Sequence, residues 1–144
     1  MATDPRRLRA LEIMARVKRL ETEDKARAVG EIRARMSTFE AEKEALLGRL
    51  TGESRIEGLE GAPYLGRFIR SIRQEVDRNT AAAAKLAPEL ARAEDALRDA
   101  LAEQKTFEIL HQTRLREERI EKAKREEKAQ DEISLLRWGQ PDRV

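Results

Sequence analysis

Apolar residues recur at alternating intervals of three and four along the first third of the chain, where Leu8, Leu11, Ala15, Val29, Ile32, Met36, Phe39, Leu46 and Leu50 share one frame. That spacing keeps side chains on one face of a 3.6-residue helix and predicts a coiled-coil seam over about residues 5–50. Lys18, Thr22, Lys25 and Lys43 fall in the same frame. A lysine in a seam lends its methylene stem while its ammonium turns to water, so the middle of this helix is expected to be loosely paired.

A second frame runs through Ile69, Ile72, Val76, Asn79, Ala83, Leu86, Leu90, Ala93, Leu97, Ala100, Gln104 and Phe107, with Leu65 and Phe68 beside its start. Pro88 lies inside it. A proline removes one helical hydrogen bond and crowds the preceding turn, so a kink or a break is expected, and the continuing frame favours the kink. The run Ala81–Ala84 suits a close neighbouring backbone or simply good helix propensity. After His111 the frame frays into Arg114, Glu118, Glu121 and Arg125, and apolar residues return at Ile133, Leu135 and Leu136.

Local signals set the ends. Asp4 before Pro5 is a helix start, since the carboxylate can accept first-turn amides and proline fits the first helical position. Gly52, Gly58, Gly61 and Pro63, with Thr51 and Ser54, mark the principal connection, and Gly139 and Pro141 stop the second helix. The expected fold class is all-α: an elongated antiparallel two-helix coiled-coil hairpin with a kinked or broken second helix. Residues 1–144 form one coiled-coil domain, with helix 1 at about 5–50, a connection at 51–63, helix 2 at about 64–137 and a short tail at 138–144. Matching lengths favour pairing helix 1 with residues 89–137 and leaving 51–88 as turn and helical extension, while a continuous second helix from 64 to 137 fits the frame equally.

Composition narrows the function. Of 144 residues 40% are charged and only 3% aromatic, too few bulky groups for a compact multilayer core. Lys and Arg number 30 against 28 Asp and Glu, interleaved along the chain, for a net charge of +2. So small an excess attracts nucleic acid or anionic lipid weakly, although the pI is near 9.1. There is no cysteine, no run of eighteen apolar residues and no apolar leader, which together lead us to expect a soluble cytoplasmic protein.

Chemistry is not encoded in any motif. Carboxylate pairs such as Glu117 and Glu121 arise by chance at this acid content, and a two-helix rod offers no desolvated cleft to tune them. There is no glycine-rich phosphate loop and no ligand cluster; a single His111 cannot hold a metal alone. We expect no enzyme activity, no cofactor and no metal. Trp138 is either a partner anchor or a ring folded back over the helix end. Phe68, Ile69 and Ile72 are either an exposed patch near the connection or packing for Leu46, Leu47 and Leu50.

Tyr64-Leu65-Gly66-Arg67-Phe68-Ile69-Arg70-Ser71-Ile72, followed by a long charged helix ending in Glu127-Lys128-Ala129-Gln130-Asp131-Glu132, resembles the flagellar export protein FliJ and its injectisome relatives of the YscO type. The resemblance covers almost the whole chain and implies a cytoplasmic stalk of the type III export apparatus. It implies that the paired terminal helices enter the ring of the export ATPase FliI, with Lys128, Asp131 and Glu132 on the ring-facing end. It implies also that Phe68 and Ile72 contact the export gate protein FlhA. Export chaperones are further candidate partners. The glycine-rich connection and Trp138 depart from the family pattern.

Two other classes remain. A prefoldin-like holdase also grips clients with antiparallel helical arms, but joins them through β-hairpins, and residues 51–63 carry no alternating strand pattern. A general structural or nucleic-acid-binding coiled coil is expected to concentrate Lys and Arg at one helix end, whereas the C-terminal helix is balanced.

Overall fold

A computed structural model describes residues 4–53 and 62–139. They form two helices, α1 (Pro5–Glu53) and α2 (Ala62–Trp138), and no strand occurs among the described residues. The start of α1 has the expected cap: Asp4 Oδ1 accepts the Arg6 amide at 3.0 Å, and the Asp4 carbonyl accepts the Leu8 amide at 3.1 Å. At the far end of α2 the Gly139 amide donates to the Leu135 carbonyl at 2.9 Å and closes the last turn. Thr51 and Gly52 belong to α1, and Pro63 belongs to α2. The rest of the expected connection, residues 54–61, and the tail from 140 onward lie outside the described residues.

The chain divides into two compact units, Met1–Glu21 with Leu101–Val144, and Thr22–Ala100. Within the unit Thr22–Ala100 the two helices lie antiparallel. Thr22 bonds to Ala100, Arg33 to Glu94 at 3.0 Å, and the Arg49 guanidinium covers Phe68, so α2 numbers fall as α1 numbers rise. Val29, Ile72 and Leu86 are buried here, and Ile32, Met36, Phe39, Leu46, Leu50, Val76, Leu90, Ala93 and Leu97 are half-buried. A two-helix seam covers each side chain from one side, which is why most of the frame stops at half burial. Lys25 is the frame position that leaves the seam; it is exposed, and Ala28 is covered beside Val29 instead.

Pro88 sits within an unbroken helix, so the break is excluded. Pro88 and Ala84, whose carbonyl loses its helical donor, are both exposed, and water can take the vacated bond without the helix ending.

The same antiparallel order holds in the other unit. Leu8 and Ala15 are buried, Leu11 and Lys18 half-buried, and on α2 Gln104, Phe107, His111, Leu115, Glu118 and Glu121 are partly covered. Lys18 reaches Glu103 at 3.0 Å and Arg19 reaches Glu108 at 3.7 Å. From Lys122 through Gly139 every residue is exposed. The extension that the length argument placed at 51–88 is therefore found at 122–138. The segment beside the end of α1 is Phe68 to Asn79, not the stretch after Pro88. Equal helix lengths misled because a hairpin's register is set by its connection, and this one is short.

Candidate docking surfaces

Tyr64, Phe68 and Ile72 climb one side of α2 in steps of four. Each step turns about 40° around the helix. The result is a gradient from solvent to seam: Tyr64 is 57% exposed, Phe68 half-buried and Ile72 4% exposed. The Tyr64 and Phe68 rings stack with centroids 6.5 Å apart and planes 14° from parallel. Arg49, from α1, holds its guanidinium carbon 5.7 Å from the centre of the Phe68 ring, where the ring's negative face attracts a cation. The aromatic surface next to the connection is thus made by both helices. Ile72, expected as a gate contact, belongs to the packed seam, because it falls in the frame that faces α1; its neighbour Phe68 keeps part of its ring at the surface.

Arg49 also borders a groove of about 440 Å³ between the helices, floored by Ala45 and Leu46 and edged by Glu42, Glu75, Arg78 and Asn79. Charges of both signs line it, so it offers no preference for one charge of ligand.

In the other unit the overhang of α2 carries Lys128, Asp131 and Glu132, all exposed. Continued past His111, the seam frame would pass through Arg125, Lys128, Glu132 and Leu135. Arg125, Lys128 and Glu132 lie beyond the reach of α1, where side chains without a partner helix must be hydrated, whereas the charged Glu118 and Glu121 before them are still partly covered. Apolar groups return at the tip, with Ile133 at 52%, Leu135 and Leu136 at 70% and Trp138 at 91% exposure. The Trp138 ring is not folded back; it lines an open groove with Asp131, Ser134 and Leu135.

No group of three His, Asp or Glu among the described residues could hold a metal ion. Tyr64 and Arg49 are contributions that the sequence reading missed. Tyr64 could have been found from its four-residue spacing to Phe68, but Arg49 meets that ring across the connection, and no local pattern carries such a contact. The family model described as flagellar FliJ protein matches residues 7–143 of the chain. No curated protein and no solved structure matches it significantly.

Proposed function

The chain belongs to the flagellar FliJ protein family, and on that premise we propose that it is a coupling stalk of the export apparatus that links a FliI-like ATPase ring to a FlhA-like export gate. Membership makes it a flagellar export-associated protein. The observation that carries the finer reading is the uncovered stretch 122–138, a helix with hydrated seam positions and an apolar tip that nothing in the described chain occupies.

In this reading Lys128, Asp131 and Glu132 meet the ring. Their mixed charge permits contact with charged pore loops without the tight adhesion that a long apolar face would cause. Phe68 meets the gate together with Tyr64 and the guanidinium of Arg49, while Ile72 holds the helix pair closed beneath them. The protein works without catalysing a reaction itself and reaches the membrane's cytoplasmic face through its partners, export chaperones among them. No described helix is long and apolar enough to cross a membrane.

The test is direct. Purified protein added to its cognate export ATPase is expected to raise the hydrolysis rate and promote ring assembly, and replacing Lys128, Asp131 and Glu132 with alanine is expected to remove both effects. If neither quantity responds to the wild-type chain, the coupling reading fails.

A further inference from the structure

In the unit Met1–Glu21 with Leu101–Val144 the seam covers little apolar surface. Leu8, Leu11 and Ala15 come from α1, and the covered apolar residues of α2 are Phe107 and Leu115. The other covered positions of α2 here, Gln104, Glu108, His111, Glu118 and Glu121, are polar. The unit Thr22–Ala100 is built differently: α1 covers Val29, Ile32, Met36 and Phe39 in succession, and α2 covers Ile72, Val76, Leu86, Leu90 and Leu97. Apolar burial is the main force holding two helices together, so its density along a seam sets how often each stretch comes apart.

The first stretch of α1 is also set apart from the apolar seam that follows it. Between Ala15 and Ala28 the covered residues of α1 are Lys18 and Thr22, and neither supplies a large apolar side chain. Two ion pairs cross between the helices in this stretch, Lys18 with Glu103 and Arg19 with Glu108, each with one side chain more than half exposed. Such pairs add little to stability. Parting Leu8, Leu11 and Ala15 from α2 thus uncovers few apolar groups and leaves Val29 and Ile32 in their packing.

We infer that Pro5–Glu21 is a strap that parts from α2 as one cooperative step while Thr22–Ala100 stays paired. A helical stretch of this length is marginal in water without a partner, so the strap gives up helical hydrogen bonds as it leaves. Once it has left, α2 is bare from Leu101 onward instead of from Lys122, and Phe107, His111 and Leu115 reach the surface. What that longer bare stretch offers the ATPase ring rests on the coupling reading. The opening itself follows from the seam within this unit and does not.

The experiment is hydrogen exchange on the purified full chain at neutral pH, without ATPase. Amides from Arg9 to Glu21 are expected to exchange at one common level, at least about tenfold faster than those from Val29 to Leu46, with residues 101–121 following the strap. Simple fraying gives a different pattern, a gradient that slows steadily from Pro5 inward and passes Thr22 without a step. Leu11→Ala should speed exchange in the strap and in 101–121 by a further factor of about ten while leaving Val29 to Leu46 unchanged. Lys18→Leu with Gln104→Leu carries the apolar seam across the polar positions and should slow exchange of the strap about tenfold. A smooth gradient, equal protection in the two units, a Leu11→Ala effect that spreads to Val29 to Leu46, or a strap unmoved by the Lys18→Leu/Gln104→Leu pair each overturn the inference. A strap that opens as described in a chain with no effect on the ATPase leaves this inference standing and counts against the coupling reading alone.

Discussion

The hydroxyl of Thr22 donates across the helix pair to the backbone carbonyl of Ala100 at 3.2 Å, and Thr22 is only 8% exposed. A polar side chain in a seam tends to fix register at a cost in stability, because an apolar residue of similar shape would bury as well without giving up hydration. The Ala100 carbonyl keeps its helical donor when the threonine is removed. Thr22→Val is therefore expected to change the urea-unfolding free energy by less than about 1 kcal/mol, with gain favoured over loss. A loss well beyond that would show that this bond carries the pairing.

Lys18 leads to a prediction about pH. Its ammonium bonds to Glu103 at 3.0 Å and Glu21 at 3.2 Å and lies 5.8 Å from the centre of the Phe107 ring. The Glu103 carboxylate first, then Glu21, holds the Lys18 pKa above the usual lysine value. A raised folded-state pKa means that the folded chain binds this proton more tightly than the unfolded one. The contribution is thus complete below about pH 10 and is lost as pH rises through the elevated value. Urea midpoints of wild type and Glu103→Gln should run parallel from pH 7 to about 9 and converge at higher pH. Curves that stay parallel throughout would remove Glu103 from the account.

The periodic parts of this molecule were legible and its register was not. Both seams, the cap at Asp4 and the continuity of the frame past Pro88 can be read from residues three or four apart, because helices express local spacing directly. Which part of α2 lies beside Leu50 depends on the length of the connection, and sequence spacing holds no measure of that. The fate of Ile72 followed from register: beside α1 it is core, beyond α1 it would have been surface. Trp138 was undecidable for a related reason, since only the position at which α1 begins shows that no helix lies near enough to receive its ring.

The gradient along Tyr64, Phe68 and Ile72 separates fold from binding. Ile72→Ala removes buried methylenes from a seam with few fully buried residues and should cost about 2 kcal/mol or more. Tyr64→Ala removes a ring that is 57% exposed and should shift stability by less than about 0.5 kcal/mol. Replacing Phe68 and Ile72 together would confound the two effects. Tyr64→Ala with Arg49→Ala is the cleaner pair for gate binding: affinity should fall while thermal melting stays close to wild type. An unchanged affinity would move the contact elsewhere.

Shortening α2 distinguishes an overhang that acts from one that merely hangs free. Residues 126–138 are exposed throughout, so their removal uncovers no core and deletes no contact across the helix pair among the described residues. A chain ending at Arg125 should accordingly melt within a few degrees of the full chain, the remaining difference coming from fraying of the new end. It should also lose stimulation of the export ATPase. Single substitutions at Leu135 or Trp138, compared with Ile133 or Leu136, can then assign this loss to one face of the overhang, since the two pairs lie on different faces. If the shortened chain instead unfolds many degrees earlier, the stretch beyond Glu121 supports the helix pair directly, and the assignment of 122–138 to partners is wrong.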